Sequence, residues 1–135
     1  MDALTHLNES RNLTALAAEL FNRGQYLAAG EFVWGAIVHA VAAADPDHEM
    51  QPPDRFGNPH LAPNTSATFS SAIRRITGLT FSEGQIASCL YNGQQQLHNH
   101  FYHLNLTPQD LQHSIGVATA YAQLLMRAAD HALSR

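Results

Sequence analysis

The sequence predicts an all-α fold, an up-and-down bundle of four long helices and one short helix. Apolar residues recur three and four positions apart in five runs, and none of these runs alternates with the period of two that is typical of a strand. Glycines and prolines cluster between the runs, which predicts a single helical domain over residues 1–135. With 45% hydrophobic residues, the chain can bury a core without disulfides or a metal.

The first half of the chain predicts two helices. Helix one is expected from Ser10 to Arg23, with Gly24 as its stop signal. Helix two is expected from Gln25 to Ala44 as the most buried element. Its small residues, Gly30 and Gly35 among them, are expected to let a neighbouring helix approach closely.

Residues 45–64 predict a loop, because they hold five of the six prolines and no sustained apolar period. A connection of about 20 residues exceeds the usual length, and such loops tend to be functional, ordered on a partner or disordered. A short third helix is expected to follow from Ser66 to Gly78.

Capping residues mark the starts of the last two helices. Ser82 and Gln85 form the pattern of a capping box at helix four. Thr107 and Pro108 supply a capping hydroxyl and a first-position proline for helix five, which is expected to reach Leu133. The predicted seam of helix four is Ile86, Leu90, Leu97, Phe101 and Leu104, and that of helix five is Leu111, Ile115, Ala118, Ala122, Leu125 and Ala129.

Composition argues against several classes of protein. All seven cations are arginines, eleven residues are acidic and the net charge is -4, so no basic stripe is available for non-specific nucleic-acid binding. Contact of a local arginine with RNA or a nucleotide stays open. The lone Cys89 forms no internal disulfide, no leader pattern opens the sequence, and the apolar stretch 32–44 is too short to span a bilayer. These features predict a cytoplasmic protein without a membrane span.

The segment 97–103, LHNHFYH, is the densest cluster of polar chemistry in the sequence. On a helix His98 shares a face with Tyr102, and His100 shares one with His103, as does Asn99. The three histidines therefore cannot form one intrahelical site. A metal held by His100 and His103 would need ligands from other helices, and no metal and no cofactor are predicted. The favoured interpretation is a set of bundle-lining histidines bonded to Tyr102 or to the backbone.

An alternative is acid–base cleavage of RNA. His98 or His100 would act as base or acid, because an imidazole titrates near neutrality. Asn99 or Arg74 would stabilise phosphate charge. Dimerisation would favour this reading, since a two-fold axis brings a second copy of a residue into the same cleft.

A ligand-binding surface is predicted where helices two and four meet, around four residues whose chemistry disagrees with their apolar helices. These candidates are Glu31, His39, His98 and Tyr102. The competing interpretation is a buried structural network in which Glu31 is satisfied by Tyr102 or a histidine.

Two stretches carry a resemblance to a known family. Their matching residues are Gly24, Tyr26, Ala29, Glu31, Trp34, Gly35 and Ala36 on helix two, and Leu97, His98, Phe101 and Tyr102 before helix five. With these residues the chain resembles the archaeal PaREP1-type proteins and, more widely, the HEPN-like superfamily. The resemblance implies a prokaryotic, commonly dimeric bundle in a superfamily that includes RNA-cleaving toxins of toxin–antitoxin systems and their inactive relatives.

The chain departs from that superfamily at its ribonuclease motif, an arginine and a histidine on a late helix with four to six residues between them. The match in the second half of the chain or its loop is Arg55 to His60, which lies between prolines in the predicted loop. We therefore predict a binding or assembly module that forms a homodimer or meets a protein encoded nearby. The alternative is a metal-independent ribonuclease that uses His98 or His100.

Overall fold

The computed structural model describes residues 2–44, 50–51, 60–61, 70–75 and 81–134, which are almost entirely helical. Its helices are α1 (Ala3–Asn22), α2 (Tyr26–Ala44), α3 (70–75), α4 (Glu83–Leu90), α5 (Asn99–His103) and α6 (Pro108–Leu133). A π-helical segment (Tyr91–His98) joins α4 to α5, so residues 83–103 form one continuous rod. The predicted all-helical fold of about five helices is confirmed.

Helix α1 begins seven residues earlier than the sequence predicts, at Ala3 instead of Ser10. Asp2 caps it by accepting the Thr5 N–H at 2.8 Å, and these hydrogen bonds lower the pKa of the Asp2 carboxyl. Ser10 lies inside the helix, fully buried, and donates its hydroxyl to the Ala36 carbonyl at 2.6 Å. The predicted stop is confirmed, since Gly24 follows with a φ of 76° that few other residues adopt.

Helix α2 is the central element, in contact with α1, α6 and the rod. Eleven of its residues are buried, as the sequence predicts. It is also the one described helix long and apolar enough to cross a membrane by length and composition, although most of it is covered by the rest of the protein. Its apolar surface is therefore accounted for by the core of a bundle.

Reciprocal glycine contacts bring α2 and the rod together. A Cβ on Gly30 would lie 3.1 Å from Leu97 Cδ2. Leu97 therefore packs directly on the backbone of α2 at this glycine. A Cβ on Gly93 would lie 2.6 Å from Trp34 Cε3, so Trp34 seats on the rod in the same way. The close approach predicted at Gly30 is confirmed. Gly35 likewise lets Leu13 of α1 pack closely on α2, 3.1 Å from where a Cβ would be.

The π-helical segment is the main departure from the predicted helix four. Its wider turn changes which residues after Leu90 face the core, and it buries Asn92, Gly93 and Leu97. Such insertions are often found at functional sites, and this one ends at His98.

The apolar seam predicted for helix four is correct at its start and wrong at its end. Ile86, Leu90 and Leu97 are buried, but Leu104 is 68% exposed. The reason is the backbone: Leu104 is not helical, and it ends α5 in the left-handed conformation with φ 52°.

The capping predictions are confirmed. Ser82 and Gln85 form the capping box of α4, and Thr107 accepts the Asp110 N–H with Pro108 at the start of α6. All six predicted inner residues of α6 are buried. Cys89 is fully buried, and desolvation raises the pKa of its thiol to about 12.

Most of the predicted loop 45–64 lies outside the described residues. Within it, β1 (Met50–Gln51) pairs antiparallel with β2 (His60–Leu61), in the register Met50 to Leu61 and Gln51 to His60. This ladder leaves no period of two in the sequence, because two residues per strand are too few.

Candidate functional site

The candidate site centres on a contact between α2 and the rod. His98 Nδ1 lies 2.8 Å from Glu31 Oε1, and the two side chains are 24% and 20% exposed. A carboxylate oxygen accepts, so Nδ1 carries the proton of this bond. Glu31 thereby fixes the orientation of the imidazole and leaves the other ring nitrogen for a further contact.

Two aromatic rings lie close to His98. The Trp34 ring centroid lies 6.1 Å from that of His98, and the Tyr102 ring meets His98 edge to face at 5.3 Å. The predicted shared face of His98 and Tyr102 is confirmed. Tyr102 is 41% exposed whereas Trp34 is almost completely buried, so the site opens on the Tyr102 side.

The carboxylate of Glu31 is satisfied at one oxygen. Its Oε2 is buried, and no donor in the described part of the chain reaches it. Leaving a buried acceptor unpaired costs about 1–3 kcal/mol. The arrangement therefore combines an oriented imidazole with a carboxylate oxygen that can still accept a bond.

His39 does not join this site, which corrects the predicted grouping of Glu31, His39, His98 and Tyr102. Its Nδ1 lies 2.9 Å from Nδ1 of His6 on α1, and the two rings stack at 5.1 Å with a tilt of 38°. The physical reason is distance along α2: His39 lies eight residues, or roughly 12 Å, beyond Glu31, and there α2 packs against His6 of α1. Burial, followed by the neighbouring His6, lowers the pKa of His39.

The other two histidines of the 97–103 segment do not join His98 in one site, as predicted. His100 is buried, and its Nδ1 accepts the Leu106 N–H at 2.8 Å, which matches the predicted backbone bond. His103 is exposed and Asn99 is half-buried. Within the described ranges no three histidine, cysteine or acidic side chains come together as metal ligands.

Of the arginines considered as phosphate contacts, one has a carboxylate partner and the other lies outside the described residues. Arg74 makes a two-point bond with Glu83, at 2.8 Å for both pairs of atoms. This bond raises the pKa of Arg74 and lowers that of Glu83, and both side chains remain exposed to solvent. Arg55 of the Arg55 to His60 spacing lies outside the described residues.

Sequence reasoning missed two features next to the site. The π-helical segment has its sequence signal in Gly93, a glycine inside a helical run, which often marks a packing constraint. The left-handed Leu104 has its signal in Thr107 and Pro108, which begin a new helix so soon that the rod must end within a few residues.

Comparison of the chain with protein-family models, with curated protein sequences and with solved structures gives no significant match.

Proposed function

We propose that the chain is a binding or assembly module of the HEPN-like type, a homodimer in a prokaryotic cytoplasm, and that its contact surface is the His98 face. We define the His98 face as Glu31, His98, Tyr102 and Leu104. The Glu31–His98 bond and the His98–Tyr102 ring contact link the first three, and Leu104 follows Tyr102 two positions along the chain, at the end of α5.

The observation that carries the proposal is the conformation of Leu104. A left-handed residue with a Cβ costs about 1–2 kcal/mol, and glycine or asparagine usually takes this position at a helix end. Here a leucine occupies it and exposes 68% of its surface to solvent. Strain and apolar exposure together have no benefit for the isolated bundle, whereas a partner that covers Leu104 would offset both costs.

The partner we propose is a second copy of the chain. Support comes from the family resemblance, which implies dimers, and from the composition of the face. A tyrosine and a leucine surround a histidine–carboxylate pair, and aromatic residues are enriched in protein interfaces.

Sedimentation equilibrium of the wild type and Leu104→Asn tests this proposal. Asparagine tolerates the left-handed conformation, so the variant should fold and gain about 1 kcal/mol of stability. We expect a dimer for the wild type and a monomer for Leu104→Asn. The control is Leu16→Gln, which removes a 46% exposed leucine from α1 and should leave the dimer unchanged. A monomeric wild type, or an undiminished dimer in Leu104→Asn, would refute the assignment.

A second candidate function is metal-independent cleavage of RNA by His98. The observation in its favour is the Glu31–His98 bond, since a carboxylate that orients an imidazole is a common feature of general bases. His100 is less suited to the chemistry because it is 5% exposed and its Nδ1 is occupied by the Leu106 N–H.

Incubation with a mixed RNA in the presence of a chelator separates the two functions. We expect no cleavage from the wild type. Cleavage that is lost in His98→Ala and kept in His113→Ala, an exposed position on α6, would reverse the ranking and make the chain a ribonuclease.

A further inference from the structure

A groove with a volume of about 440 Å³ lies where the start of α2 meets the end of the rod and the start of α6. Its walls are mainly apolar and include Leu27, Phe101, Leu106 and Leu111. Pro108 also lines it and has no backbone N–H to donate.

One wall of the groove is the N-terminus of α2. The first intrahelical bond runs from the Ala29 N–H to the Gln25 carbonyl. Tyr26, Leu27 and Ala28 line the groove, and their amides precede that bond and have no acceptor in the described part of the chain. These N–H groups and the helix dipole favour a negatively charged group at this position.

A buried side chain adds a fourth donor from a different element. His100 lines the groove and is 5% exposed. Its Nδ1 accepts the Leu106 N–H, so the proton of the neutral ring must be on Nε2. That Nε2–H has no acceptor in the described residues, and it is the polar atom that His100 can offer a ligand.

We propose that this groove binds a small organic acid with an apolar tail. The carboxylate accepts from the amides of residues 26–28 and from His100 Nε2–H, and the tail packs on Leu106 and Leu111. Four donors without a cationic side chain suit a single negative charge, and the apolar walls require the ligand to carry hydrocarbon. The proposal does not depend on dimerisation.

Amide chemical shifts measured during titration of ¹⁵N-labelled full-length protein test the proposal. We expect hexanoate to shift the amides of Tyr26, Leu27 and Ala28. Half-saturation should occur at about 1 mM, a typical dissociation constant for so small a ligand. Acetate should bind at least tenfold more weakly, because it has no tail. Hexylamine has the same tail and the opposite charge, and it should leave these amides unchanged.

Two variants separate ligand binding from folding. His100→Asn keeps an oxygen where Nδ1 accepts from Leu106 and loses the Nε2–H, so it should fold and bind hexanoate about tenfold more weakly. Leu106→Ala should reduce the preference for hexanoate over acetate. His113→Asn is the matched control on the exposed surface and should bind as the wild type does.

Several results would overturn the proposal. Equal shifts with hexylamine would show a purely apolar groove, and inorganic phosphate that binds as tightly as hexanoate would show a non-selective anion site. Unchanged hexanoate affinity in both His100→Asn and Leu106→Ala would place the ligand elsewhere. Repeating the titration on Leu104→Asn keeps this result separate from the oligomeric state.

Discussion

The two ends of α2 use histidine in opposite ways. Towards its N-terminus, Glu31 meets His98 in a contact that stays about one-fifth to one-quarter exposed. Towards its C-terminus, His39 meets His6, which is 6% exposed. The first contact joins a potential anion to a potential cation, and the second joins two groups that both become positive at low pH.

The difference shows that residue type does not determine the role of a histidine in this bundle. A carboxylate partner stabilises a protonated imidazole by opposite charge. In a buried pair of imidazoles, protonation of one ring disfavours protonation of the other. The Glu31 end is therefore suited to recognition at a surface, and the His39 end is suited to holding α1 against α2.

The largest loss of stability is expected from Gly93→Ala, which changes the packing at the Glu31 end of α2 alone. The new Cβ would lie 2.6 Å from Trp34 Cε3 and 3.0 Å from Cζ3, so the rod must move away from α2. Overpacking of this kind costs about 1–3 kcal/mol, partly offset by the better helix propensity of alanine. Urea unfolding should show a loss of about 2 kcal/mol.

Chemical shifts of the ring protons report which end has moved. Gly93→Ala should shift the resonances of His98 and leave those of His6 and His39 in place. Gly116→Ala is the matched control, because nothing lies within 4 Å of a Cβ at Gly116. Equal stability of the two variants would contradict the close contact between Gly93 and Trp34.

A smaller loss is expected from breaking the Glu31–His98 bond. His98→Ala leaves Glu31 without its donor, and we expect a loss of about 1–2 kcal/mol. Glu31→Gln keeps an acceptor for His98 and should lose about 1 kcal/mol or less. Urea unfolding of the single and double variants gives the coupling free energy, and fully additive losses would show that the bond does not couple the two side chains.

Local signals explain why much of the fold could be predicted. Gly24, Ser82 and Thr107 each act within a few residues, so the helix boundaries they mark agree with the structure. The start of α1 was missed because Asp2 caps a turn whose apolar pattern is weak. The π-helical segment was missed because Trp34, the residue that packs against its Gly93, is distant in sequence.

The candidate site was predictable where one helical turn determines the contact. His98 and Tyr102 are four residues apart on one helix, so their ring contact follows from spacing. The angular positions of His39 and Glu31 on α2 carry no information about which neighbouring helix covers each face. That information comes from tertiary packing, which placed His39 against His6.

The last prediction concerns the pH dependence of the His39 end. The pKa of His39 in the folded chain is lower than its ordinary value of 6.5, so the unfolded chain binds a proton first as pH falls. Well above pH 6.5 both states hold His39 neutral and it contributes no pH dependence. Below pH 6.5 stability should fall until folded His39 is protonated too, by at most about 1.4 kcal/mol per pH unit for one proton.

Urea unfolding at a series of pH values from 7.5 down to 4.5 measures this effect. His39→Gln removes the titrating ring and should flatten the curve below pH 6.5, while His113→Gln on exposed α6 should leave it as in the wild type. His6 faces His39 from α1, and Glu9 of α1 acts on His39 in the opposite sense by favouring its protonated form. Glu9→Gln should therefore steepen the loss below pH 6.5. A His39→Gln curve as steep as that of the wild type would show that the acid sensitivity arises elsewhere, and the two ends of α2 would then not differ in the way their partners predict.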